Sequence, residues 1–217
     1  MFYENTVRLQ GKIVYKRVYN GMAHVGIETT KSADKSAANV LSVAVFGELV
    51  DNLSSFSVGD YVYITGKMSE ISGKEKKQLK QDVVAKTIEK AKSRLNEFGI
   101  SDPAGAIERK NEVYLAGKVK GKYTRPDFNV ATIFVDVLTD GHTENLSIRV
   151  FVRPDTIDKI SNLQKGDNLA IAGMIQTKDR KGHSKRPNGN YETIHYENLV
   201  AMELTTVTDK AKKPALA

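Results

Sequence analysis

Two phenylalanines and two lysine- and arginine-rich runs are the residues of this 217-residue chain whose types and spacing could do chemistry. Phe46 ends the run Ser42-Val-Ala-Val-Phe46, and Phe151 ends Ser147-Ile-Arg-Val-Phe151. Successive side chains of a strand alternate between its faces. If Val43 and Val45 face a core, then Ser42, Ala44 and Phe46 face out; if Ile148 and Val150 face in, then Ser147, Arg149 and Phe151 face out. A ring on the outer face of a strand offers a π-surface that the core does not require. Lys74, Lys76, Lys77 and Lys80 form one basic cluster, and Lys178, Arg180, Lys181, Lys185 and Arg186 form another at the equivalent place in the second half. Rings that stack on bases, beside cations that track phosphates, are what a groove for a single nucleic-acid strand needs. By the same parity Phe134 faces out between Ile133 and Val135, whereas its counterpart between Val25 and Ile27 is Gly26, so the halves should bind unequally. Arg8, Lys12 and Lys118 take outward positions from which they can reach phosphates, and Tyr15, Tyr19 and Tyr123 are further stacking candidates near the first turns.

Catalytic chemistry finds little support. The histidines His24, His142, His183 and His195 show no metal-ligand spacing, and no glycine-rich phosphate loop is present. Asp60 and Asp167 each follow a glycine and read as turn residues instead of acid–base groups. The expectation is therefore no enzyme, no catalytic residue, no metal and no cofactor. The absence of cysteine excludes disulfides and thiolate chemistry. No segment has the length or apolarity to span a bilayer, and the start lacks a basic, then apolar leader. A soluble cytoplasmic protein without a membrane partner is expected. The net charge of +7, concentrated in the two basic runs, suits a polyanion.

The elements that must position these residues occur twice. Asn5-Thr-Val-Arg-Leu-Gln-Gly11-Lys12-Ile13 returns as Asn111-Glu-Val-Tyr-Leu-Ala-Gly117-Lys118-Val119, and Val58-Gly59-Asp60 to Met68 returns as Lys165-Gly166-Asp167 to Ile175. The spacing from Gly11 to Gly117 is 106, from Phe46 to Phe151 is 105 and from Gly59 to Gly166 is 107. A period near the size of one small domain indicates a duplicated domain. In the first copy Val7, Leu9, Gly11 and Ile13 alternate with polar residues as a strand, and Asn20-Gly21 is a hairpin turn. A second strand around Val25 and Ile27, a polar loop from Lys31 to Asn39, a strand from Leu41 to Phe46 and a part-helical segment from Glu48 to Phe56 follow. A strand from Tyr61 to Met68, the basic loop and a last strand from Val83 to Ile88 complete the copy. The second copy repeats the order, with turns at Arg125-Pro-Asp and Asp140-Gly141, a short helix from Pro154 to Leu163 and a longer basic loop from Lys178 to Asn190. That loop is too polar to order alone and should order on a polyanion. Gly11 and Gly117 are strand glycines that permit bending.

Five strands with a helix between the third and fourth fit the five-stranded Greek-key barrel called the OB-fold. The predicted architecture is all-β: two tandem OB-fold barrels over 1–88 and 111–205, joined by a short helical linker over 89–110, with a disordered tail over 206–217. Ile88, Ala91, Leu95 and Phe98 carry the helical spacing of the linker, before Gly99 and Ser101-Asp102-Pro103.

Val45-Phe46-Gly47-Glu-Leu-Val-Asp-Asn-Leu followed by Val58-Gly59-Asp60-Tyr-Val-Tyr-Ile-Thr-Gly66-Lys67 resembles the third-strand, helix and fourth-strand signature of bacterial-type single-stranded DNA-binding proteins, and Asn5 to Ile13 resembles that family's first strand. The second copy matches more loosely. The resemblance implies sequence-tolerant ssDNA binding in replication, recombination or DNA transfer, and it places Phe46 and Phe151 where the family stacks bases. The family's housekeeping members often stack bases on tryptophan and end in an acidic tip that recruits partners; this chain has no tryptophan and ends Lys210-Ala-Lys-Lys-Pro-Ala-Leu-Ala217. A phage or mobile-element member would explain both departures. Relatives with one barrel per chain typically assemble four, so a homodimer of this chain would match them; replication or recombination proteins are the other partners implied. Two alternatives stand beside the ssDNA reading: a protein-interaction adaptor of a replisome or transfer complex, and an RNA-binding OB-fold protein, since no residue identifies a 2′-hydroxyl reader.

Overall fold

The computed structural model describes residues 3–31, 38–72, 79–91, 109–125, 130–139, 142–152, 154–185 and 191–206. The first copy supplies β1 (Glu4–Tyr19), β2 (Met22–Lys31), β3 (Ala38–Phe46), α1 (Glu48–Asn52) with a 3₁₀ turn at Leu53–Ser55, β4 (Tyr61–Ser72) and β5 (Leu79–Lys90). The second supplies β6 (Lys110–Arg125), β7 (Val130–Thr139), β8 (His142–Val152), a 3₁₀ helix at Pro154–Ile160, β9 (Asn168–Lys185) and β10 (Tyr191–Thr206). The chain is nearly all-β. Period-two alternation is the cause: on β1, Val7, Leu9, Gly11 and Ile13 are buried while Arg8 and Lys12 are exposed. Asn20-Gly21 makes the turn to β2, with Gly21 at φ 76° and Tyr19 opposite Met22.

The strand order β2-β3-β5-β4-β1 closes because β1 also pairs with β2, and β6-β7-β8-β10-β9 closes because β6 also pairs with β9. The β3–β5 and β8–β10 pairs are parallel and their neighbours antiparallel. Closure makes one strand serve two partners. β1 pairs with β4 from Val7 to Lys12 and with β2 from Lys12 to Tyr19. At the changeover β2 crosses close over β1, and a Cβ on Gly11 would lie 2.2 Å from the Glu28 carbonyl oxygen. Gly117 meets the Asp136 carbonyl oxygen at 2.1 Å in the same way. The expected role of these glycines in bending is therefore met by a steric requirement.

The helical segments plug the closed sheets. Leu53 and Phe56 are buried in the first copy, Ile160 and Leu163 in the second. A lysine holds each segment down: the Lys16 Nζ donates to the carbonyls of Leu53 (3.0 Å) and Phe56, and the Lys122 Nζ to those of Ile160 (3.0 Å) and Ser161 (2.6 Å). The Leu53 and Ile160 carbonyls also accept from the N–H of Phe56 and Leu163, and each ammonium adds a second bond there while bonding a further carbonyl of the same segment end. Asp60 and Asp167 are turn residues as expected. Their carboxylates accept from the backbone N–H of Ser57 (2.8 Å) and Gln164 (2.7 Å), and Gly59 and Gly166 before them take φ of 105° and 97°.

The sheets are longer than the sequence suggests. β4 and β5 continue in register to Ser72 opposite Leu79, so Lys80 stands on a strand; Lys74, Lys76 and Lys77 lie outside the described residues. β9 runs through Lys185, so Lys178, Arg180, Lys181 and Lys185 also stand on a strand and the expected long loop is corrected; Arg186 lies outside the described residues. Paired strands satisfy each other's backbone groups whatever their side chains, and hydrophobic alternation carries no trace of that. β5 extends to Lys90, so Ile88 belongs to a strand and not to the linker helix; 92–108 lie outside the described residues. The turns at Pro126-Asp127 and Asp140-Gly141 and the tail from 207 do so too.

The chain divides into two compact units. One contains Val7–Glu112 with Ile175–Asn198; the other contains Met1–Thr6, Val113–Met174 and Leu199–Ala217. Leu9, Ile13, Ile27, Leu41 and Ile64 are fully buried in the first, Leu115, Ile133 and Leu169 in the second. Gly11→Ala should lower stability by about 1–3 kcal/mol through overpacking against β2. Gly121→Ala, where a Cβ meets nothing within 4 Å, should raise it by about 0.4–1 kcal/mol. Urea midpoints of both variants check this contrast; equal shifts would show that the crossing is not tight.

Candidate nucleic-acid interface

The outer surface of the first three strands of each copy carries the rings read from the sequence. Across β1, β2 and β3 the directly opposed residues run Tyr15–Gly26–Ser42, Arg17–His24–Ala44 and Tyr19–Met22–Phe46. Val25, Ile27, Val43 and Val45 point inward and are buried, so these rows lie on the outside. Phe46 is 43% exposed and Tyr19 52%. His24 lies between them: its Nδ1 is 3.2 Å from the Ser42 Oγ, and its ring stands edge-on to Tyr19 with centroids 6.2 Å apart. Ala44 faces out by parity yet is wholly buried, a methyl enclosed among larger neighbours.

In the second copy the rows across β6, β7 and β8 are Gly121–Phe134–Arg149 and Tyr123–Thr132–Phe151. Tyr123 is 57% exposed, and Phe134 and Phe151 are half-buried. Backbone register corrects the matching of Phe46 with Phe151. Val43 pairs with Val83 on β5, and Val150 pairs with Leu199 on β10. Gly66 lies against the Val84 carbonyl and Gly173 against the Val200 carbonyl, which makes Val83 the equivalent of Leu199. Val43 is therefore the equivalent of Val150, and Phe151 takes the place of Ala44. The offset on this strand is 107, the same as between Gly59 and Gly166. The similar-looking runs conceal a two-residue slip, which keeps the faces but moves the ring along the strand. Each copy retains three rings on this surface, Tyr15, Tyr19 and Phe46 in one and Tyr123, Phe134 and Phe151 in the other.

The cations are dispersed. Lys12 is exposed at the changeover of β1, opposite Glu28 and Tyr61, and Lys118 is exposed opposite Asp136 and Asn168. Arg8 is exposed opposite Thr65 on β4, away from the β2–β3 rows. Arg149 is opposite Phe134 on β8. Arg17, which the sequence reading did not single out, is exposed in the central row, and its Cζ lies 5.2 Å from the centroid of the Tyr15 ring. Among the described residues no group of three His, Asp or Glu side chains could hold a metal, and no helix is long and apolar enough to cross a membrane.

The basic strand of the second copy belongs to the unit built on the first, and two amides account for that. Asn111 donates from Nδ2 to the Ile175 carbonyl (2.7 Å) and accepts from the Ile175 N–H (3.0 Å). Asn39 donates to the same carbonyl (2.9 Å) and accepts from the Thr177 N–H (2.9 Å) and hydroxyl (2.8 Å). Both asparagines are buried. Side-chain amides thus replace a strand partner where β9 begins its extension. On β10, the Glu197 Oε1 accepts from the Ser42 N–H at 2.6 Å, beside the outer rows. Asn111 stood in the repeated first-strand motif, and a buried asparagine on a strand was the one available signal.

Two solved structures share this fold along the length of the chain. The wild-type single-stranded DNA binding protein from Thermus aquaticus superposes with a TM-score of 0.61 at 16% identity, covering 99% of this chain and 97% of its own. A deletion mutant of the single-stranded DNA binding protein from the same organism gives 0.59 at 15% identity, with 95% and 96% covered. The fold is thus the OB-fold of those proteins. No family model matches the chain, and no curated protein matches its sequence.

Asn39→Ala should cost roughly 1–3 kcal/mol, because it strands buried polar groups, and should speed trypsin cleavage after Lys178 and Lys181. Thermal melts and timed digestion check both. An unchanged digestion pattern would show that the amide does not hold the basic strand.

Proposed function

We propose that this chain is a sequence-tolerant single-stranded DNA-binding protein made of two tandem OB-fold barrels, 1–88 and 111–205, with 89–110 joining them and 206–217 as a tail. The observation that carries the reading is the set of three rings on the outer face of the first three strands in each copy, on a fold whose strand 2–3 face is the usual oligonucleotide surface. Bases would stack on Phe46, Phe134 and Phe151, each stack contributing roughly 1–3 kcal/mol whatever the base. Lys12, Lys118, Arg8, Arg149 and the two basic hairpins, Lys74 to Lys80 and Lys178 to Arg186, would neutralise phosphates. No step breaks a covalent bond, so no catalytic group or cofactor is required. Replication, recombination or DNA transfer in the cytoplasm, action as a homodimer, replication or recombination proteins as partners, and a phage or mobile-element source belong to the same reading and rest on the sequence resemblance.

Affinity for oligo-dT should fall steeply with salt, with a log–log slope growing by about 0.7 for each phosphate neutralised. Anisotropy titrations of labelled dT, rU and duplex of equal length at low and high salt test this. A duplex bound as tightly as dT would overturn it, and rU bound more tightly than dT would turn the reading to RNA. Phe46→Ala should lose about 1–3 kcal/mol of dT binding with little change in melting temperature. A large drop in melting temperature with unchanged affinity would make Phe46 a packing residue.

A further inference from the structure

Inward parity on β1 runs Val7, Leu9, Gly11, Ile13, and continued evenly it would bury Tyr15, Arg17 and Tyr19. A β-bulge between Ile13 and Tyr15 breaks the alternation and turns all three to the outer face. Tyr15 then stands directly opposite Gly26, and its ring occupies the space of the missing side chain: a Cβ on Gly26 would lie 2.1 Å from Cε1 and 2.3 Å from Cδ1 of the ring. Gly26 lies between the buried Val25 and Ile27, so the ring lies on the outside, where the core gains nothing from it. The second copy has the same bulge, between Val119 and Gly121, and the same cross-strand pair with its members exchanged: Gly121 on the first strand, Phe134 on the second. One ring and one glycine are directly opposed at the same register in both copies, although the ring comes from opposite strands; Tyr15 covers Gly26, whereas a Cβ on Gly121 would meet nothing within 4 Å. Tyr15 thus places a ring beside the position where Gly26 lacks one.

The surroundings of Tyr15 differ from those of a ring that only covers backbone. The exposed Arg17 guanidinium lies 5.2 Å from its centroid, and the rows beyond present His24, Tyr19 and Phe46. Guanidinium planes and aromatic rings are the two surfaces on which unpaired bases stack.

We propose that Tyr15, seated on Gly26 and backed by Arg17, is a nucleobase-stacking subsite of the first copy and the counterpart of Phe134 in the second. The proposal rests on the ssDNA reading. Its ligand is one base of a single strand, held by stacking, with Arg17 available to the adjoining phosphate.

Three measurements test it. In the unaltered protein, nitration of Tyr15 by tetranitromethane, followed by mass spectrometry, should slow under saturating oligo-dT. Tyr15→Ala should bind dT about 5- to 150-fold more weakly, the loss expected for one stack. The double variant Tyr15→Gly with Gly26→Phe, which builds the first copy like the second, should recover most of that loss. Unaltered protein that ignores dT would overturn the ssDNA reading and this subsite with it. Unaltered protein that binds dT while Tyr15 is nitrated at an unchanged rate would overturn the subsite alone. So would a folded Tyr15→Ala with undiminished affinity, or a double variant that regains melting temperature without affinity, the result expected of a ring that only packs. If Tyr15→Ala does not fold, the nitration rate decides.

Discussion

The structure depends on a steric constraint where the first strand of each copy changes partners. A first strand that pairs with one neighbour over its early residues and with another over its late ones must bend where the partners change. Gly11 and Gly117 sit at that bend, with a carbonyl oxygen where a Cβ would be. The same strand carries a bulge just beyond the bend, between Ile13 and Tyr15 in one copy and between Val119 and Gly121 in the other. Bend and bulge together set which side chains of β1 and β6 enter the core and which face solvent, and the outer surface follows from them.

That surface holds its ring count more firmly than its ring positions. Tyr15 replaces Phe134 from the neighbouring strand, and Phe151 sits one row from the place of Phe46. An outward ring need not fill an enclosed volume, so an outer position makes no demand on which strand supplies it. Core positions are constrained differently: Val43 and Val150, both buried, keep register because each must fill a defined volume. Divergence between the copies on the outer face, with constancy inside, is what these two demands produce together.

Buried amides carry the other long-range relation. Asn39 and Asn111 both bond the Ile175 carbonyl, and between them they give β9 the hydrogen bonds a neighbouring strand would otherwise supply. A buried amide is costly when unsatisfied, so the pair fixes the position of β9 at Ile175 and Thr177. These contacts to Ile175 and Thr177 are made by neutral polar groups.

The sequence by itself determined what local periodicity and turn chemistry can determine. Alternation at Val7 to Ile13, the Asn20-Gly21 turn, the Gly59-Asp60 and Gly166-Asp167 turns and the segments after Phe46 and Val152 were legible because each is set by residues within a few positions of one another. The all-β class and the OB-fold order followed, as did the outward aspect of Phe46. Tertiary structure alone decided the rest. Whether Tyr15 points in or out depends on the bulge between Ile13 and Tyr15. Whether Phe151 matches Phe46 or Ala44 depends on β10 and β5, far along the chain. The basic stretch after Thr177 continues β9 beside β10, past the point where two distant asparagines bond Ile175 and Thr177. Those facts come from which strands meet, and a one-dimensional pattern holds no record of that.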